Sequence, residues 1–159
     1  MRSKTANWFI CKIRYWEDGL QKKVTETYVV DAVSFTEAEA RIIEEMSAYI
    51  SGEFEVIEID RAVFKEIFFK EWDNQSLEDK MQNTDTRWYK SKLQFITIDE
   101  KTEKEKRSNV YYLVEGCSLE SARRNIDEVM GGTMIDYSIA SVSETPIMDV
   151  FEYKVKSDK

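Results

Sequence analysis

The chain has 159 residues, of which 42% are hydrophobic and only six are Pro or Gly, a composition typical of a folded protein with short connections. Its 23 Lys and Arg against 31 Asp and Glu give a net charge of −8, which opposes general attraction to phosphate backbones or anionic membranes. His is absent and the two cysteines, Cys11 and Cys117, lie far apart, which excludes a Cys-His nucleophile and disfavours a Cys-based metal or redox motif.

These features predict a non-catalytic protein without cofactor or metal. No apolar run is long enough for a signal peptide or a membrane-spanning helix, so we expect a cytoplasmic protein that does not contact a membrane. The segment DNQSLED at residues 73–79 offers oxygen ligands but lacks the central Gly and final Glu of a calcium loop. It therefore does not change the expectation that metal is absent.

The first elements predict a β-hairpin. Residues 8–16 alternate polar and apolar side chains as a strand does, with Phe9, Cys11, Ile13 and Tyr15 on one face. Asp18-Gly19 predicts a tight turn into a second strand at residues 22–32.

A helix should follow the hairpin. Ser34 precedes Glu37 by three residues, the spacing of a capping box, and Gly52 is expected to end the helix in a left-handed conformation. FEVIEI then predicts a strand, whereas RAVFKEIF fits either a short strand or a helical turn. The predicted apolar stripe that packs on the hairpin comprises Phe35, Ala38, Ile42, Met46 and Tyr49.

The same order of elements returns in the second half of the chain. WFICKIRY at residues 8–15 matches WYKSKLQF at residues 88–95, and later segments match at offsets of 83 and 84. The second helix is expected to begin at Ser118, where Ser121 replaces the glutamate of the capping box, and to end at Gly131-Gly132. Its apolar stripe comprises Leu119, Ala122, Ile126, Val129 and Met130.

We therefore predict an α+β fold made by internal tandem duplication of a β-β-α-β unit, mainly antiparallel sheet with one helix per repeat packed on it. The repeats would span residues 7–69 and 88–153, joined by a polar linker at residues 70–87. Each repeat would be marginal alone, so one compact pseudo-symmetric domain is favoured. The alternative is that two unrelated β-β-α-β units share this patterning.

One sheet face of each predicted repeat carries a Trp beside cations. Aromatic rings that stack on bases, with Lys and Arg for phosphates, are typical of surfaces that bind single-stranded nucleic acid. The alternative is that each Trp is buried between the repeats and the Lys stems cover it. The candidate binding residues are Trp8, Lys12, Arg14, Trp88, Lys90 and Lys92.

The chain also resembles a family of unknown function encoded by gut anaerobic bacteria and their phages. The resemblance rests on WFICKIRY, QKKVTE, DAVSFTEAEARIIEEM and ISGEF in the first half, with WYKSKLQFITIDEK and SIASVSETPIMDVF in the second. It covers roughly residues 7–153 and implies no activity, ligand or catalytic residue. It implies a small cytosolic protein, often encoded on phage or mobile-element genomes.

Besides an enzyme or a protein that sequesters a small anionic ligand, either of which would require a concave pocket with converging polar groups, two functions remain open at this point. The first is a non-catalytic binding or scaffold protein whose partner is another protein, favoured by the lack of His and by a duplicated surface. The second is an accessory protein that binds single-stranded nucleic acid in phage or mobile-element DNA metabolism, suggested by the Trp and Lys positions.

Overall fold

A computed structural model describes residues 1–17, 22–70 and 86–153, and within these ranges the fold is α+β, with two helices and nine strands. The described residues form two compact units. One comprises Ala6–Val63 with Pro146–Lys159, and the other comprises Met1–Thr5 with Phe64–Thr145. In chain order the elements are β1 (Arg2–Lys4), β2 (Trp8–Glu17), β3 (Lys22–Asp31), α1 (Phe35–Ser47), β4 (Phe54–Arg61), β5 (Glu66–Phe69), β6 (Arg87–Ile98), β7 (Glu105–Gly116), α2 (Leu119–Met130), β8 (Tyr137–Glu144) and β9 (Ile147–Phe151).

The four-stranded unit, Ala6–Val63 with Pro146–Lys159, has the sheet order β4-β2-β3-β9. Its pairs are antiparallel except for β3 and β9, which run parallel. Helix α1 buries Ala38, Ile42 and Met46 against one face of the sheet. The sheet contributes Phe9, Cys11, Ile13, Tyr28 and Val30 to that core.

The five-stranded unit, Met1–Thr5 with Phe64–Thr145, has the sheet order β1-β5-β7-β6-β8. Only β5 and β7 pair in parallel, so antiparallel pairs predominate in this sheet as well. Helix α2 buries Ala122, Ile126 and Met130 on one face. The sheet side of that core consists of Phe68, Tyr89, Leu93, Tyr112 and Val114.

Both helices begin at a serine cap. Ser34 Oγ accepts a hydrogen bond from the Glu37 backbone N–H at 3.1 Å, and Glu37 accepts one from the Val33 N–H at 3.2 Å. Ser118 Oγ accepts from the Ser121 N–H at 3.0 Å. Ser121 Oγ accepts from the Cys117 N–H at 3.4 Å, so this serine substitutes for the reciprocal glutamate.

Replacing Ser34 by Ala is expected to lower the free energy of unfolding by about 1 kcal/mol, because an N–H of the first turn loses its acceptor. Urea unfolding followed by circular dichroism measures the change. Ser51→Ala, at an exposed serine outside the helix, is the matched control and should have no effect. Equal stability of the two variants would show that the cap contributes nothing.

Several sequence predictions need correction. Helix α1 ends at Ser47 with Ala48 as its right-handed cap, so Gly52 does not end it in a left-handed conformation. Tyr49 is predicted on the buried stripe of α1, but it lies beyond the end of the helix and is exposed. Phe35 and Leu119 lie within their helices but are also exposed, because the buried stripe of each helix is narrower than its apolar pattern. Of the two alternatives left open for RAVFKEIF, the short strand is observed, since β5 begins at Glu66 within this segment.

Three predicted features fall partly or wholly outside the described residues. These are the Asp18-Gly19 turn, most of the polar linker at residues 70–87, and DNQSLED at residues 73–79. The compact units divide the chain differently from the predicted repeats at residues 7–69 and 88–153, since the five-stranded unit includes β1 and β5 and the four-stranded unit includes β9. The repeats themselves stay a prediction.

Candidate binding surface

Trp8 is the first residue of β2 and Trp88 the second residue of β6, and both are buried, with 3% and 5% of their surface exposed. The Trp88 ring meets Phe69 edge-to-face, with ring centroids 5.6 Å apart. Burial leaves neither indole with an open face on which a base could stack. The cations that share their sheet faces therefore determine what these surfaces can bind.

Lys12 and Arg14 lie on the face of the four-stranded sheet opposite α1, and each has a carboxylate on the neighbouring strand β4. Lys12 Nζ is 3.2 Å from Glu58 Oε2, and Arg14 Nη2 donates to Glu55 Oε1 at 2.6 Å. The hydrogen bond from Arg14 lowers the pKa of Glu55 below its usual value. A hydrogen bond with Asp60 and, as a smaller effect, one with Lys12 lower the pKa of Glu58. The hydrogen bond between Glu58 and Asp60 raises the pKa of Asp60.

The corresponding face of the five-stranded sheet lacks these carboxylates. Lys90 and Lys92 on β6 lie opposite Ser143 and Ser141 on β8, and the next position along pairs Gln94 with Ser138. Within the described ranges, neither lysine has a carboxylate within 4.0 Å, and the three serine side chains make no hydrogen bond to the protein. We call Lys90, Lys92, Ser138, Ser141 and Ser143 the lysine–serine face.

Strand β7 borders the lysine–serine face with further polar groups. Tyr111 is partly exposed, and Lys90 Nζ lies 5.0 Å from the centre of its ring. Arg107 is exposed and donates to Gln94 Oε1 at 3.3 Å, while Gln94 donates to Asn109 Oδ1 at 3.3 Å. Arg107 also lies 3.6 Å from Glu105, so its charge is partly offset. The face thus presents ammonium groups, hydroxyls and amides, a set suited to an anionic ligand.

The six sequence-predicted residues divide between the two units as two triplets. Trp8, Lys12 and Arg14 belong to the four-stranded unit, and Trp88, Lys90 and Lys92 to the five-stranded unit. The sequence pattern placed the cations on the face opposite the helix, and the strand register agrees with that placement. It did not single out the serines, although laying FEVIEIDR over YSIASVSE aligns Glu55, Glu58 and Asp60 with Ser138, Ser141 and Ser143.

Other concave regions of the described residues offer less chemistry. A cavity of about 240 Å³ is lined by Arg14, Tyr15, Trp16, Lys23 and Glu55, and its central cation Arg14 is already paired. A shallow cavity of about 500 Å³ beside β8 is lined in part by Tyr137 and Asp127, which hydrogen-bond to each other at 2.7 Å. Arg14 in the first cavity and Asp127 in the second are therefore each engaged by a side chain of the protein itself.

Thiol and metal chemistry find little support in the described residues. Burial raises the pKa of the Cys11 thiol to about 12, so the nucleophilic thiolate does not form near neutral pH. Over residues 1–17, 22–70 and 86–153, no three Cys, Asp or Glu side chains come together as metal ligands. In the same ranges, neither helix has the length and apolar character needed to cross a membrane.

Comparison with known proteins places the chain in a family. No curated protein matches it. A family model described as a domain of unknown function, DUF4494, matches residues 7–153, which is nearly the whole chain and the same span as the resemblance noted from its motifs. The chain therefore belongs to the DUF4494 family.

Proposed function

We propose that this protein is a non-catalytic binding or scaffold protein and that its partner is another protein. The observation that carries the proposal is the lysine–serine face, where Lys92 lacks the carboxylate that its counterpart Lys12 has, and where Lys90 also faces a serine. Charged side chains that are paired at one site and unpaired at an equivalent site favour an external partner at the second. The absence of His from the sequence supports a role without catalysis.

The tandem duplication is part of the same proposal. A register shift of one residue falls opposite Lys12 and Ile13, where β4 has the extra residue Ile57, and opposite Lys92 and Leu93, where β8 has the extra residue Ala140. The serine caps, the buried helix positions and the order of the three antiparallel strands also correspond. In this view the last strand of each copy has been exchanged, since β5 pairs in the five-stranded sheet and β9 in the four-stranded sheet.

The proposed setting is the cytoplasm of a gut anaerobic bacterium, with the gene on a phage or mobile element. The support is the resemblance of the motifs to that family. Recombinant protein is therefore best tested with lysate from such a host.

The test compares proteins captured by the wild type and by the double variant Lys90→Glu, Lys92→Glu. Reversing two charges at the recognised surface should reduce recovery of the partner at least about tenfold. The matched control, Lys101→Glu with Lys104→Glu, makes the same charge change in the exposed loop between β6 and β7. It should retain the partner, and all three proteins should share one unfolding temperature. Identical recovery from all three proteins would count against this surface.

Single-stranded nucleic acid is the second candidate ligand. Lys90 and Lys92 beside the partly exposed Tyr111 favour it, since cations and an aromatic ring are the groups such ligands contact. Burial of Trp8 and Trp88 and the net charge of −8 weigh against it. Titration with an oligothymidylate at low salt separates the two candidates. If the oligonucleotide binds in a way that depends on Lys90 and Lys92, and the lysate experiment captures no protein, single-stranded nucleic acid replaces a protein as the proposed partner.

A further inference from the structure

We propose that the lysine–serine face docks an extended acidic segment of the partner, with Asp or Glu at alternate positions. This inference rests on the proposed function, since it names the chemistry of the protein that binds. It assigns to Lys90 and Lys92 the role of pairing with carboxylates, and to the serines of β8 the role of donating hydrogen bonds to the same groups.

The four-stranded unit shows which groups pair with cations on the sheet face opposite the helix, including Lys12, which aligns with Lys92. In the four-stranded unit, β4 supplies Glu58 to Lys12 and Glu55 to Arg14, at 3.2 Å and 2.6 Å. Strand β8 has the same place beside β6 but offers hydroxyls, which cannot neutralise an ammonium group. Carboxylates from outside the chain would complete the arrangement that the four-stranded unit makes internally.

The spacing of the two lysines fits an extended peptide. Lys90 and Lys92 are two residues apart on one strand, so their Cα atoms are separated by roughly 7 Å on the same face. An extended peptide has the same repeat, and its alternate side chains also project to one side. Acidic residues at every second position therefore meet both lysines, whereas acidic residues in a contiguous block direct half of their carboxylates away.

A single-stranded nucleic acid fits the face less well. Recognition of single strands draws much of its energy from bases stacked on aromatic rings, and both nearby Trp rings are buried. Tyr111, a partly exposed ring beside this face, has the Lys90 ammonium 5.0 Å from its centre. Carboxylates need no stacking platform, so an acidic segment uses every group that this face exposes.

The test measures fluorescence anisotropy of a labelled decapeptide that alternates Ser and Glu, titrated with purified full-length protein at low ionic strength. Wild-type protein should bind it more tightly than a peptide of equal composition with its glutamates in one block. Removing both charges with Lys90→Gln and Lys92→Gln should weaken binding about tenfold, as expected for two exposed ion pairs. Lys101→Gln with Lys104→Gln should bind as the wild type does.

Two further double variants test the inference without removing the charge of Lys90 or Lys92. Ser141→Glu with Ser143→Glu places carboxylates on β8 opposite Lys92 and Lys90, so both lysines are paired internally and peptide binding should be lost. Glu55→Ser with Glu58→Ser removes the partners of Lys12 and Arg14, and the number of peptides bound per chain should rise from one to two. All four substitutions are at exposed or partly exposed positions, so circular dichroism should be unchanged.

Three results would overturn the inference. They are no binding of the alternating peptide by wild-type protein, equal binding by the wild type and the serine-to-glutamate variant, and tighter lysine-dependent binding of an oligothymidylate than of the peptide. If the wild type does not bind the peptide but still captures a protein through Lys90 and Lys92, the inference that the partner presents an acidic segment is wrong and the proposed function stands. If no protein is captured either, both proposals fail.

Discussion

Ile42→Asp is expected to prevent the four-stranded unit from folding. Ile42 lies in the middle of α1 with none of its surface exposed, and it packs in the core with Phe9, Ala38 and Tyr28. A carboxylate at this position has no partner, and burying it costs several kcal/mol, a large fraction of the about 5–15 kcal/mol that stabilises a typical domain. We therefore expect insoluble protein, or soluble protein that has lost the α1 helix signal.

Ile43→Asp is the matched control for this experiment. It makes the same substitution one residue further along α1, where 41% of the side chain is exposed. Urea unfolding followed by circular dichroism should show Ile43→Asp close to the wild type and Ile42→Asp without a cooperative transition. Cooperative unfolding of Ile42→Asp at wild-type stability would mean that α1 buries a different face.

The helices and hairpins could be predicted from the sequence because their signals are local. Ser34 and Ser118 mark helix starts through hydrogen bonds that span three residues. The buried positions Ala38, Ile42 and Met46 follow from the helical repeat. Alternation along residues 8–16 gave the correct sheet face for Lys12 and Arg14. Such patterns need no knowledge of distant segments.

The pairing of β1, β5 and β9 could not be predicted because it joins segments far apart in sequence. Nothing in residues 147–151 indicates that they pair with β3 instead of a strand of their own half. The same limit applies to β1, which joins β5 through Arg2 opposite Phe69. These short strands have too few residues for alternation to specify a neighbour, so only the packed structure decides it.

The lysine–serine face, too, could be predicted only in part from the sequence. The identity and face of Lys90 and Lys92 follow from alternation, but their unpaired state depends on which strand lies beside β6 and in which register. A bulge in β8 opposite Lys92 and Leu93 shifts that register by one residue. Whether a cation faces a glutamate or a serine is therefore a tertiary property, visible in sequence only when the two halves are aligned.

Strand β9 provides the second large effect, because it completes a sheet whose other strands all precede residue 62. Val150 lies opposite Val29 in the parallel pair with β3, and their exposed fractions are 8% and 0%. Phe151 stacks on Tyr28 with ring centroids 5.5 Å apart, on the face that carries α1. Val150→Asp inserts an unpaired charge beside Val29 and is expected to destabilise the four-stranded unit by about 2–4 kcal/mol.

Hydrogen exchange of the β3 amides tests this effect directly, since loss of β9 leaves β3 at the edge of the sheet with unpaired backbone groups. Exchange at Tyr28, Val29 and Val30 should accelerate in Val150→Asp. Met148→Asp is the matched control, because Met148 belongs to the same strand but is 57% exposed. In this variant the β3 amides should exchange at the wild-type rate. Wild-type protection of β3 in Val150→Asp would show that β9 does not stabilise this sheet, and the strand exchange proposed for the two copies would lose its energetic basis.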